Sequence, residues 1–185
     1  MRGWLTGLAA LILLCGCSAN AREPDRLALV RVLGVDGASP VTLTAVCGAA
    51  GGQEPIRGSC MDETVLLARE NLPWVGEEEL ALTSVSWLII GGNADLRTVL
   101  FAVLEDQQLG PSARVWLAPE GADTLLEDCQ DPAARLELLE LRGQKGVSAA
   151  KALGMLITEG SVLLPVLEVQ EGELVCAGEE RWYEQ

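Results

Sequence analysis

The chain has 185 residues, which suits one compact domain with a short extension, and 49% of its residues are hydrophobic. Its formal net charge of −14 would repel nucleic acid, so nucleic-acid binding is excluded. The chain contains no histidine, which excludes histidine-dependent catalysis and removes the commonest zinc ligand. The residues show no catalytic set, and we expect no cofactor and no metal site.

Residues 1–16 are typical of a bacterial lipoprotein signal peptide. The apolar stretch at 4–14 is shorter than the ~20 residues that span a membrane. It ends in Leu14-Cys15-Gly16-Cys17, which resembles a lipobox. We expect lipid on Cys17 and a tether at 17–25 that holds the domain on the extracytoplasmic face of the membrane. The alternatives are an ordinary secreted protein and a short membrane anchor.

Hydrophobic patterning in the remaining chain predicts a single domain at 26–178 and a polar tail at 179–185. The predicted strands are at 27–35, 41–49, 56–61, 85–90, 113–117, 162–169 and 174–177. The predicted helices are at 65–72, 95–104, 122–128, 132–142 and 148–158. The first three strands favour an antiparallel meander, and strands alternate with helices in the middle of the chain. This order favours an α+β (mixed α/β) fold in which helices pack on a central mixed, largely antiparallel β-sheet.

Two cysteines lie on strands that are predicted to pair, which makes a cross-strand disulfide between Cys47 and Cys60 possible. The alternative, which we favour, is that both are buried free thiols that pack as small hydrophobic side chains. Cys129 and Cys176 are not expected to pair.

Three aromatic residues outside the strand patterns are candidate contact residues. Trp74 follows a proline in a predicted loop, and Trp182 and Tyr183 lie in the predicted polar tail. Trp87 and Trp116 lie within strand patterns, so we expect both to pack in the core.

The order of these segments resembles the N-terminal domain of the Ger(x)C family, the lipoprotein subunits of bacterial spore germinant receptors. The lipobox precedes a strand that ends in Gly34-Val35-Asp36, where the family typically has Gly-Ile-Asp. The segment 85–91 resembles the family's central strand, which ends in Ile-Gly; a helix and the short strand at 113–116 follow in the family's order. Leu164-Pro165, with the closing hairpin, resembles the segment that leads into the family's next domain.

The resemblance covers most of residues 14–178 and implies a non-enzymatic role. Family members lie beside two integral membrane subunits, of A and B type, and are needed for spores to respond to small nutrient germinants. The resemblance therefore implies a lipid-anchored subunit at the cell (spore inner) membrane that acts through protein contacts. Typical members continue into further α/β domains, so the implied relative is divergent or truncated. The alternative function, from a different class, is an extracytoplasmic solute-binding lipoprotein.

Overall fold

The computed structural model describes residues 27–48, 56–60, 68–69, 71–72, 79–106 and 108–183, with the backbone alone at 57, 59 and 60. Its strands are β1 Leu27–Asp36, β2 Val41–Cys47, β3 Ile56–Cys60, β4 Glu79–Ala81, β5 Trp87–Gly91, β6 Arg114–Ala118, β7 Val147–Ser148, β8 Ser161–Gln170 and β9 Glu173–Tyr183. Its α-helices are α1 Leu96–Glu105, α2 Ala122–Asp128, α3 Pro132–Leu141 and α4 Ala149–Glu159, and a 3-10 helix lies at Leu82–Ser84. None of the helices in these ranges is long and apolar enough to cross a membrane.

All the strands belong to one mixed sheet, whose main order is β3-β2-β1-β5-β6-β8-β9. The central neighbours β1, β5, β6 and β8 pair in parallel. Antiparallel pairs flank them, with the meander β1-β2-β3 on one side and the hairpin β8-β9 on the other. Both the expected fold class and the expected meander are confirmed.

Helices cover both faces of the sheet. Successive residues of a strand point to opposite faces, so each strand contributes to both layers. In β5, Leu88 and Ile90 join a core that also contains buried residues of α1 and α4. Trp87 and Ile89 join a second core, formed with α2 and α3. The strands are thus apolar on both faces, as expected for parallel strands enclosed by two helical layers. Trp87 and Trp116 are both buried, as predicted.

The last strand is longer than its sequence pattern predicts. The strand predicted at 174–177 is the first part of β9, which continues to Tyr183 and pairs with β8 along its whole length. The predicted polar tail is therefore wrong for residues 179–183. Most of these side chains are exposed, so a strand in this position needs no hydrophobic alternation. The short strands β4 and β7 were also not predicted.

The backbone register excludes a disulfide between Cys47 and Cys60. Cys60 of β3 lies opposite Val41 at the start of β2, whereas Cys47 ends β2 and lies opposite Val30 of β1. The six residues from Val41 to Cys47 span about 20 Å of strand. A disulfide requires Cα atoms within about 7 Å of each other.

Candidate functional site

The carboxyl ends of the parallel strands meet around one buried carboxylate. Asp36 ends β1 and accepts hydrogen bonds of 2.8 Å from the backbone N–H groups of Ala122 and Asp123, in the first turn of α2. Its Oδ1 atom also lies against the last residue of β5, because a Cβ added to Gly91 would be 1.9 Å from that atom. Asp36 thus joins β1, β5 and α2 at one point.

The turn after β5 is held by a second long-range contact. The side-chain oxygen of Asn93 accepts a 3.0 Å hydrogen bond from the backbone N–H of Gly37, in the turn after β1. Asp95 then caps α1, accepting from the backbone N–H of Thr98 at 3.2 Å and from its hydroxyl at 2.7 Å. The segment 91–93 is therefore a strand-end turn, which leads into the capped start of α1.

A pocket of about 410 Å³ lies beside this turn. Its lining combines the turn after β1, the turn after β5, the first turn of α1, the end of α4 and the end of β9. The lining residues are Ala38, Gly92, Asn93, Ala94, Asp95, Arg97, Leu156, Trp182 and Tyr183. In open α/β sheets, ligands commonly bind outside the carboxyl ends of the parallel strands, which is where the first two of these segments lie.

The side chains of the pocket can hold a polar molecule that also has a flat apolar part. Asn93 has amide hydrogens to donate, Asp95 has carboxylate oxygens to accept, and Arg97 brings a cation that also stacks 5.6 Å from the centre of the Phe101 ring. Aromatic surface comes from β9, where the half-buried Trp182 packs against the first core. This combination of a few convergent polar groups with aromatic walls is typical of small-molecule sites.

Two other concave regions of the described chain are less suited to a ligand. One, of about 450 Å³, lies over Trp87. The guanidinium of Arg31 stacks 5.2 Å from the centre of the Trp87 ring, and the indole N–H of Trp87 donates a 3.2 Å hydrogen bond to Glu140. Arg114 lies 4.0 Å from the same glutamate, so the polar groups there already pair with one another. The other, of about 330 Å³, lies beside α2 and has three acidic side chains in its lining, Glu120, Asp128 and Glu168.

The residues predicted from the sequence to be functional lie partly outside the described residues and partly at the pocket. Cys17 and Trp74 lie outside the described residues, as do residues 1–26. Trp182 and Tyr183 both line the pocket, and their role as contact residues stays a prediction. Arg97 was not predicted to be functional, and the sequence favours only a strand-end turn at Gly91-Gly92-Asn93, which follows a predicted strand and precedes a predicted helix.

Among the described residues, no three Cys, Asp or Glu side chains come together in a way that could hold a metal ion. No protein-family model, no curated protein and no solved structure matches this chain.

Proposed function

We propose that this chain is the lipid-anchored, extracytoplasmic domain of a membrane complex of the spore germinant receptor type, and that it acts through contacts with integral membrane subunits. The anchor is the acylated Cys17, and the folded domain that follows is the part that meets the A- and B-type subunits. The role is non-enzymatic.

The proposal is supported by the place where two stretches of the Ger(x)C resemblance meet. Gly34-Val35-Asp36 ends β1, and the Ile-Gly pair that ends the next resembling stretch is Ile90-Gly91 at the end of β5. The carboxylate of Asp36 occupies the space that a side chain at position 91 would need. Residues from the two separate stretches thus depend on each other physically, and both stretches belong to the resemblance.

The anchor is tested by comparing Cys17→Ala with Cys15→Ala in a bacterial host. We expect the Cys15→Ala protein to be cleaved, acylated and membrane-bound, because small residues are usual at that position of a lipobox. The Cys17→Ala protein should keep its leader and lack acyl mass by intact mass spectrometry. A Cys17→Ala protein that is still cleaved and carries the same acyl mass would contradict the anchor.

The partners are tested by affinity purification from detergent-solubilised membranes of sporulating cells. Integral membrane subunits of A and B type should co-elute with the wild-type chain. The matched control is a chain in which residues 1–17 are replaced by a secretory leader that is cleaved without acylation. It should recover much less of them, because the lipid tether raises the effective concentration of the domain at the membrane. Their absence from the wild-type eluate would contradict the germination role.

The pocket beside Asn93 favours solute binding as a second candidate function. It has about 410 Å³ of space, and it brings together an amide, a carboxylate, a guanidinium group and two aromatic side chains. We expect a ligand that uses it to stabilise the folded protein by mass action.

This candidate is tested by thermal unfolding of the wild-type protein with a panel of amino acids, monosaccharides and nucleosides. A compound that raises the unfolding temperature of wild type should have a smaller effect on Tyr183→Ala. The matched control is Leu141→Ala, because Leu141 is 79% exposed, lies outside the pocket and should leave the effect intact. An equal stabilisation of all three proteins would show binding elsewhere.

A further inference from the structure

One continuous stretch of this acidic chain carries only positive charge. Residues 141–158 contain Arg142, Lys145 and Lys151 and no aspartate or glutamate, although 27 of the 185 residues in the chain are acidic. Both lysines of the chain lie in this stretch. Residues 141–145, which begin at the end of α3, and Lys151, in the first turn of α4, are exposed. These exposed residues are called the basic patch below.

The basic patch lies at the amino edge of the parallel strands. The strand β7, which follows the loop, pairs with the start of β6, and a Cβ added to Gly146 would be 2.9 Å from the Cβ of Arg114, the first residue of β6. The backbone N–H of Ala149, at the start of α4, donates a 2.9 Å hydrogen bond to the carbonyl of Ala113. The loop and the first turn of α4 are therefore both held beside the beginning of β6.

The folded part of the chain begins on the same side of the molecule. β1 starts at Leu27, four residues or about 13 Å before Arg31, whose guanidinium stacks on the ring of Trp87. Trp87 is the first residue of β5, and its indole N–H donates to Glu140, which directly precedes the patch. A short row of contacts thus connects the first strand with the patch.

The opposite edge of the sheet carries negative charge. The turns and helix starts that follow the carboxyl ends of β1, β5 and β6 contain Asp36, Asp95, Glu120 and Asp123. An anionic surface is therefore attracted by the basic patch and repelled by the carboxyl edge. The acid that directly precedes the patch, Glu140, is partly buried and already accepts a hydrogen bond from Trp87.

We propose that the basic patch is the membrane-facing surface of the domain and that it contacts the headgroups of anionic phospholipids. The three cations bind lipid phosphate groups. Leu141, at the end of α3, is 79% exposed and is an apolar side chain suited to the boundary between headgroups and acyl chains. The pocket beside Asn93 then faces away from the membrane, because it lies at the carboxyl edge.

This orientation rests on the proposed lipid anchor. The formal net charge of −14 repels an anionic bilayer, so the patch alone would not hold the domain there. A tether at 18–26 reaches at most about 30 Å and keeps the side that contains Leu27 close to the bilayer. Within a Debye length of about 8 Å, only the nearest charges matter, and those of the patch are positive.

The test supplies a tether that does not depend on acylation. Residues 1–17 are replaced by a hexahistidine tag, which is held on vesicles by a nickel-chelating lipid; the chain has no other histidine, and every described residue is kept. One set of vesicles is phosphatidylcholine, and the other contains one third phosphatidylglycerol. Lysines are labelled with an amine-reactive ester, and cleavage after glutamate releases both in the peptide 141–159.

We expect Lys145 and Lys151 to be labelled about threefold more slowly on the anionic vesicles than on the neutral ones. Salt at about 1 M shortens the Debye length to about 3 Å and should remove the difference. Tyr183, the only tyrosine, is 63% exposed beside the pocket, and its nitration should be the same on both vesicles.

Two charge reversals separate the patch from a general effect of net charge. Arg142→Glu should abolish the protection of the lysines, whereas Arg181→Glu, an equal change of charge on the exposed end of β9, should leave it intact. Both variants should keep the unfolding temperature of the tagged parent chain, because both side chains are exposed.

The proposal is overturned if the lysines of the tagged parent chain are labelled equally on both vesicles, if Tyr183 is protected in their place, or if both charge reversals abolish the protection. The tag takes the place of Cys17 in all these measurements. A failure here therefore leaves the anchor standing, and a failure of acylation at Cys17 leaves these results readable.

Discussion

The carboxylate of Asp36 accepts a 2.8 Å hydrogen bond from the backbone N–H of Ala122, although 86 residues separate the two in the chain. A helix usually receives such a bond from the residue just before it, but here that residue is Gly121, which has no side chain to offer. The end of β1 therefore supplies the cap of α2. This relationship links the meander to the helical layer on the second face of the sheet.

Replacing Asp36 with Asn should lower the free energy of unfolding by about 2–3 kcal/mol. The carboxylate accepts from two backbone N–H groups and is buried, so an amide would lose one acceptor and the negative charge. Urea unfolding at pH 7 measures the change. The control is Asp95→Asn, which alters an exposed cap of α1 and should cost less than about 1 kcal/mol. Equal effects of the two substitutions would mean that Asp36 has no special role.

Two glycines should respond to alanine in opposite directions. Gly91→Ala should destabilise the protein by about 3 kcal/mol, because the new Cβ would lie 1.9 Å from the Oδ1 atom of Asp36. Gly154→Ala, in the middle of the exposed face of α4, meets no atom within 4 Å and should stabilise it by about 0.5–1 kcal/mol. Thermal and urea unfolding of the pair check the prediction. A Gly91→Ala protein as stable as wild type would show that Asp36 can move away.

The elements that the sequence predicted well are those whose pattern reflects burial. The strand at 85–90 and the helix at 95–104 match β5 and α1 within two residues, because both bury dense aliphatic side chains. β9 was cut short at 177 because hydrophobic patterning does not detect an exposed edge strand. The two- and three-residue strands β7 and β4 are too short to have a pattern at all.

The pocket could be predicted only in part. Trp182 and Tyr183 were chosen because aromatic side chains in a polar segment often make contacts. Nothing in a linear pattern shows that they lie beside Asn93, about 90 residues earlier, because that proximity depends on how the strands are ordered in the sheet.

The stability of the reduced protein should fall between pH 9 and 11 because of one thiol. Burial raises the pKa of Cys129 from 9.0 to about 11, although Arg135 opposes the shift; Asp131 and Glu173 add to it. The unfolded chain releases this proton near pH 9, whereas the folded chain keeps it until about pH 11. The stabilising contribution of the protonated Cys129 thiol is therefore complete below pH 9. Between pH 9 and 11 the free energy of unfolding falls, with a limiting slope of about 1.4 kcal/mol per pH unit.

The contribution of Cys129 is measured as a difference between proteins. Urea unfolding of the wild-type protein and of Cys129→Ala, both under reducing conditions at pH 8, 9, 10 and 11, removes the effects of the other groups that titrate in this range. The difference in unfolding free energy should shift in favour of the Cys129→Ala protein as the pH rises. A constant difference would mean that the thiol titrates alike in both states.

The last prediction concerns a buried ion pair that closes the end of α1. Asp106 follows α1, has a side chain only 2% exposed, and contacts the guanidinium of Arg69 at 2.5 Å. Removing the cation leaves a buried charge without compensation, whereas removing the carboxylate leaves an arginine that is 26% exposed and can still be hydrated. Arg69→Leu should therefore lower the unfolding free energy by about 3 kcal/mol, and Asp106→Asn by clearly less.

The double variant Arg69→Leu/Asp106→Asn distinguishes charge from packing. The Asn side chain keeps an oxygen that can accept the 2.8 Å hydrogen bond from the backbone N–H of Gln108, so little else changes. If the uncompensated carboxylate causes the loss, the double variant should be more stable than Arg69→Leu alone, in urea unfolding at pH 7. If instead the two losses simply add, the arginine stabilises this region by packing its aliphatic stem, and the charge of Asp106 contributes little.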